Sequence, residues 1–188
     1  MKRKLIINCN FEVFIYLCAI RWNKQLAQIF GLIAIVSVLF CGLLANATDY
    51  EWQGGDGYWT NSANWLPVGI PGSGDFATIT KGNVIISKVI SISQIEVDSN
   101  SSLTVATNGV LNLNCSDISL YINGPFTNKG VVNWMDGDIK VVKDSFGNCG
   151  CIQNMECATW NIQCNCGIWV ASGSEKFNNS GTVTKTDG

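Results

Sequence analysis

The feature that most limits what this chain can fold into is a series of short apolar doublets. Val84/Ile86, Ile90/Ile92, Ile95/Val97, Leu103/Val105, Leu111/Leu113 and Leu120/Ile122 each place two aliphatic residues one apart. Alternation at period two marks a strand with one buried face. The last four doublets begin 8, 8 and 9 residues apart. Asp98-Ser-Asn-Ser-Ser102, Asn108-Gly109 and Asn123-Gly124 separate them, and all three are turn compositions. No window of this region carries a helical stripe, so the chain is predicted to be all-β.

Strands at this spacing fit an antiparallel β-sandwich or a parallel β-helix, in which three short strands make one turn and the turns stack. An internal repeat favours the second. Phe126-x-Asn128-x-Gly130-x-Val132 returns as Phe177-x-Asn179-x-Gly181-x-Val183, and an Asp-Gly pair follows each copy at the same distance. The offset is 51 residues, close to two turns of three eight-residue strands. Stacked turns would set Phe on Phe in the core, Asn on Asn at a bend, and Gly where φ is positive. The predicted fold is a short right-handed parallel β-helix, a solenoid, with the antiparallel β-sandwich as the alternative.

The first 47 residues differ from the rest. They hold Lys2, Arg3, Lys4, Arg21 and Lys24, then an apolar run of 16 residues from Ile29 to Leu44, then Ala45-Asn46-Ala47. A basic region, an apolar core and a small-x-small exit make a secretory signal peptide. Sixteen residues is short for a membrane-spanning helix. Cleavage is expected after Ala47, leaving a secreted or cell-surface domain with no membrane segment. That domain is predicted to comprise a Trp/Gly-rich N-terminal cap (48–82), solenoid rungs (83–146), a cysteine-rich insertion (147–170) and a further rung (171–188). The second Asp-Gly is reached with no closing helix or polar cap, so a truncated N-terminal fragment of a longer repeat protein is an alternative reading.

From residue 48 onward there are seven Lys, no Arg, no His and thirteen acids, a net charge of −6. Nucleic-acid binding needs a basic footprint, which is missing. Without His, the familiar triads and His-based metal sites are unavailable. Paired carboxylates are the one surviving catalytic option: Asp136 and Asp138, at i, i+2 spacing on a possible strand, could serve a carbohydrate-active enzyme, but Met135-Asp136-Gly137-Asp138 is also turn composition. The expectation is a non-enzyme. Gly54-Gly-Asp56-Gly57 with Asp75 half matches a calcium turn and reads more simply as a tight turn. No metal or cofactor is expected.

Cys115, Cys149, Cys151, Cys157, Cys164 and Cys166 follow the leader, and the last five form C-x-C-x5-C-x6-C-x-C. In an exported protein an even number points to disulfides, with fifteen possible pairings. A stapled loop projecting from the solenoid is expected here.

Trp52, Trp59 and Trp65, with Pro71 and Asp75, fall within the proposed cap. Their bulk suits a lid over the first rung. Tyr121, Trp134, Trp160 and Trp169 are alternative sugar platforms.

Trp52-x-Gly-Gly-x-Gly-x-Trp59 with Asn64-Trp65, the Pro71 turn and Asp75-x-Ala-x-Ile79 resembles the opening of bacterial secreted β-helix repeat proteins of the autotransporter and adhesin type. Pro71-x-x-Gly74-Asp75-x-x-x-Ile79-x-x-Gly82-x-Val84 is similar to the start of G8 domains, extracellular β-rich modules. The resemblance implies a structural or adhesive role, with a glycan or an extracellular protein as partner.

Overall fold

The computed structural model describes residues 5–9, 11–15, 47–143, 150–171 and 176–186. The chain divides into two units, Met1–Ala45 and Asn46–Gly188. In the first, β1 (Leu5–Cys9) and β2 (Phe11–Ile15) pair as an antiparallel hairpin. The apolar run 29–44 lies outside the described residues. Among the described residues no helix is long and apolar enough to cross a membrane.

The second unit is a β-solenoid. Its strands are β3 (Asp49–Trp52), β4 (Gly57–Tyr58), β5 (Trp65–Leu66), β6 (Phe76–Ile79), β7 (Gly82–Ile86), β8 (Val89–Ile92), β9 (Gln94–Val97), β10 (Ser101–Val105) and β11 (Val110–Ile122). Then follow β12 (Pro125–Asn128), β13 (Val131–Val141), β14 (Cys151–Asn154), β15 (Thr159–Ile162), β16 (Ile168–Val170), β17 (Lys176–Asn179) and β18 (Thr182–Lys185). They stack into three faces. The first is β4-β7-β10-β12-β14-β17. The second is β8, the start of β11, the start of β13, β15 and β18. The third is β3, β6, β9, the end of β11, the end of β13, and β16. Every pairing within these faces is parallel, and β5 alone runs antiparallel, against β3. A sandwich of antiparallel strands is thereby ruled out.

The doublets of the sequence are the inward rows. Val84, Leu103, Phe126, Ile152 and Phe177 are in register on the first face. Ile90, Leu111, Val132 and Trp160 align on the second, and Ala77, Ile95, Leu120 and Ile139 on the third. All but Phe177 are buried, and Phe177 packs against this core. Burying one large aliphatic side chain contributes about 1.5–3 kcal/mol, so each added rung lengthens a continuous apolar core.

The 51-residue repeat spans two rungs. Phe126 stacks on Ile152 and Ile152 on Phe177, so the intervening copy carries Ile at the Phe position. Asn154 completes the ladder: Asn128 Nδ2 donates to Asn154 Oδ1 at 2.8 Å, and Asn154 Nδ2 to Asn179 Oδ1 at 2.7 Å. These amides also satisfy the corner backbone. Asn128 Nδ2 reaches Thr159 O, Asn154 Nδ2 reaches Thr182 O, and Asn128 Oδ1 accepts from Gly130 N. Gly130 and Gly181 serve a different purpose from the one expected. Positive φ occurs at Gly74, Gly82 and Gly137. A Cβ on Gly130 would lie 2.3 Å from Ala106 O, and one on Gly181 2.3 Å from Met155 O. Close approach of the neighbouring rung, rather than backbone handedness, demands glycine there.

The segment expected to project as a cysteine-rich insertion is, over 151–170, a rung. β14 pairs with β12, β15 with β13, and β16 with the end of β13. Ile152-x-Asn154 and Trp160-x-Ile162 keep the period-two alternation, with Ile152, Asn154 and Trp160 buried. The cysteines occupy outward positions and corners, which is why they obscured the pattern.

At the N-terminal end Trp52, Trp59 and Trp65 are all buried. Trp65 packs edge-on against Trp52 and Trp59, with centroids at 4.9 and 4.8 Å. Their indole N–H groups donate to Gly55 O, Pro71 O and Trp59 O respectively for Trp52, Trp59 and Trp65. Asp75 holds the Pro71 turn: Oδ2 accepts from Gly72 N at 2.9 Å and Oδ1 from Thr48 N at 3.0 Å.

Candidate functional site

The polar groups that converge outside the core lie where β13 turns from the second face to the third. Gly137 has φ +77° there, and a Cβ on it would lie 2.2 Å from Cys115 O of the rung before. The bend therefore excludes side chains and places one carboxylate on each side of the glycine. Asp136 Oδ1 accepts from Gly137 N at 2.9 Å and lies 3.7 Å from the Cys166 thiol. Asp138 takes two donors from the next rung, Gly167 N to Oδ1 at 2.7 Å and Trp169 Nε1 to Oδ2 at 2.6 Å. Strand spacing alone would set the two acids side by side with one role. The kink gives them separate partners on the loop 163–167 and on β16.

The Gly167 N–H, then the Trp169 indole, hold the Asp138 carboxyl below the usual carboxylate range against the opposing effect of desolvation, and the Lys140 charge adds the least. A glycosidase acid needs the opposite displacement, so that it keeps its proton near neutral pH. Asp138 has the chemistry of a clamp on Trp169. Burial, the adjoining Cys164 thiol and the Asp136 charge push the Cys166 thiol up to about 12. A thiol so displaced is a poor nucleophile at neutral pH.

Trp169 is 61 % exposed, and its ring is fixed through Asp138. It continues an outward row of the third face: Glu96, Tyr121, Lys140 and Trp169 are successive partners in register. The other aromatic candidates belong to the core. Trp134 is 2 % exposed and Trp160 fully buried, the latter edge-on to Phe126 and Phe177. The inward parity of β13 and β15 puts them there, so neither can stack on a sugar.

Cys115, Cys151, Cys157, Cys164 and Cys166 are free thiols, and Cys149 lies outside the described residues. Cys115 sits at the β11 corner, Cys151 faces outward on β14, and Cys157 occupies the turn between β14 and β15 with φ +65°. Cys164 and Cys166 follow β15, and both pack against the core.

Asp56 and Asp75 do not meet at a calcium turn. Asp56 Oδ1 accepts from Asn83 N at 2.8 Å, while Asp75 is engaged at the Pro71 turn. Among the described residues no group of three or more His, Cys, Asp or Glu is arranged to hold a metal ion.

Sequence reasoning missed a second ladder, on the outside of the second face. Asn112 Nδ2 donates to Ser91 Oγ at 3.0 Å, Asn133 Nδ2 to Asn112 Oδ1 at 2.7 Å, and Asn161 Nδ2 to Asn133 Oδ1 at 2.8 Å. The signal was present as Leu111-Asn-Leu113, Val132-Asn-Trp134 and Trp160-Asn-Ile162, an amide between two core residues in three successive rungs. Comparison with known proteins gives no match: no family model, no curated protein and no solved structure is significantly similar to this chain.

Proposed function

We propose that this chain is a secreted or cell-surface β-solenoid with a structural and adhesive role, taking a glycan on its third face at Trp169. The observation that carries the reading is the exposed indole pinned by Asp138. An aromatic plane held rigid before binding stacks on a sugar ring at little entropic cost. Tyr121 and Lys140 extend the row, adding a second ring and a hydrogen-bond donor. The leader-like residues 1–47, the net charge of −6 beyond them and the adhesin-type opening support an extracellular setting. An extracellular protein is the other partner class for the same row.

A glycan array combined with a reducing-sugar assay tests this. Binding without release of reducing ends is expected, with Trp169→Ala losing most of the signal. Turnover abolished by Asp136→Asn would replace the adhesive reading with an enzymatic one. Unchanged binding in Trp169→Ala would remove the aromatic row from the site.

A further inference from the structure

We infer that the second face is a separate binding surface for a neutral, extended polysaccharide lying along the solenoid axis. The inference rests on the glycan-binding reading above but uses residues on a different face of the solenoid from Trp169.

Two outward rows run side by side over five rungs. One is Val89, Val110, Val131, Thr159 and Thr182; the other is Ser91, Asn112, Asn133, Asn161 and Thr184. Each rung thus presents one β-branched side chain beside one amide or hydroxyl. Neither row contains an ionisable group, although residues 48–188 carry twenty of them among Lys, Asp and Glu. The third face differs, with Glu51, Glu96 and Lys140 pointing outward. An anionic or cationic polymer would find no counter-charge in these two rows, whereas a neutral one would strip no ion of its water.

The amides are already oriented. Asn112 and Asn133 each spend one N–H and one oxygen lone pair on the ladder. Each keeps a second N–H and a second lone pair for a ligand. Ordering these side chains adds no cost at the moment of binding. The rungs lie about 4.8 Å apart, so the rows extend for roughly 19 Å. A pyranose chain offers a matching pattern, with apolar C–H faces for the Val and Thr methyls and hydroxyls at its edges for the amides. Each successive sugar meets a new rung.

The test uses the full chain in affinity gel electrophoresis with two probes, a soluble neutral β-glucan and polygalacturonate, and titration with glucan oligosaccharides of increasing length. Val131→Lys and Thr159→Lys each place a charge on the outer row without touching the core, and circular dichroism confirms which variants fold. Retardation by the neutral glucan alone is expected, with affinity rising until the oligosaccharide spans about four rungs. At least one folded Lys variant should bind about tenfold more weakly or worse. Wild-type affinity in both Lys variants would overturn the inference while leaving Trp169→Ala to decide the third face. Preference for polygalacturonate would overturn it too. So would a Lys variant that abolishes self-association in sedimentation velocity with glucan binding intact. Loss of binding in the Lys variants but not in Trp169→Ala would support the second face and refute the third.

Discussion

Asn154→Ala should be among the most damaging polar substitutions in the solenoid. Asn154 is 1 % exposed and its side chain makes three hydrogen bonds: it accepts from Asn128 Nδ2 at 2.8 Å and donates to Asn179 Oδ1 at 2.7 Å and to Thr182 O at 3.1 Å. At about 1 kcal/mol for each bond lost, the cost is roughly 3 kcal/mol. Asn128, which is fully buried, loses the acceptor of its Nδ2, and that keeps the figure from shrinking through rehydration. Asn133→Ala is the control. It also breaks two ladder bonds, at 2.7 and 2.8 Å, but on a half-exposed face where water replaces them. Its cost should stay under about 1 kcal/mol. With a urea m-value of about 2 kcal/mol per molar, Asn154→Ala should lower the midpoint by about 1.5 M and Asn133→Ala by less than about 0.5 M. Equilibrium urea unfolding followed by tryptophan fluorescence measures both. Equal midpoint shifts for the two variants, with unchanged m-values, would refute the claim that the inner ladder stabilises the rungs because it is buried.

Gly137→Ala should cost at least about 2 kcal/mol in thermal or urea unfolding, since it combines positive φ with a Cβ 2.2 Å from Cys115 O. Gly55→Ala, which meets nothing within 4 Å, should be close to neutral in the same assay. Asp138 is displaced downward, so its contribution is present above the usual carboxylate range and is lost as pH falls through its folded-state value. Asp138→Asn should therefore flatten the acid limb of stability against pH, and an unchanged limb would dismiss the Trp169 clamp as a source of acid sensitivity. Cys166, with its thiol pushed up to about 12, should alkylate with iodoacetamide far more slowly at pH 7.5 than exposed Cys157, as read by peptide mass mapping.

Much of the fold is legible in the doublets because inward residues of a solenoid repeat at period two whatever the lengths of the corners. Leu103/Val105 and Leu120/Ile122 needed no knowledge of their partners. Asn128 and Asn179 stood out because identical residues stack. Asn154 did not, since its neighbour Ile152 replaces Phe and breaks the match. The cysteine segment misled for a related reason: outward Cys151 and corner residues Cys164 and Cys166 drew the reading away from inward Ile152 and Trp160. The Asp138–Trp169 clamp could not be read at all. It joins residues on successive rungs, and their meeting depends on how Gly137 bends the strand. Aromatic burial was equally hidden, for Trp134 and Trp169 differ only in which side of a strand they occupy and whether another rung covers them.

The corners vary in length while the faces stay in register. From Val84 to Leu103 is 19 residues, and from Phe126 to Ile152 is 26, yet each pair is a direct cross-rung partner. At the bend between the second and third faces, Ile90 to Ile95 is five residues and Leu111 to Leu120 is nine, yet Ile90 pairs with Leu111 and Ile95 with Leu120. For protein engineering this makes a corner a docking port: a foreign peptide inserted there would be displayed at a fixed height along a rigid rod. It also leaves natural variants free to gain or lose corner sequence independently in each rung. Such drift erases the even spacing on which repeat detection depends, even as the three-sided frame persists.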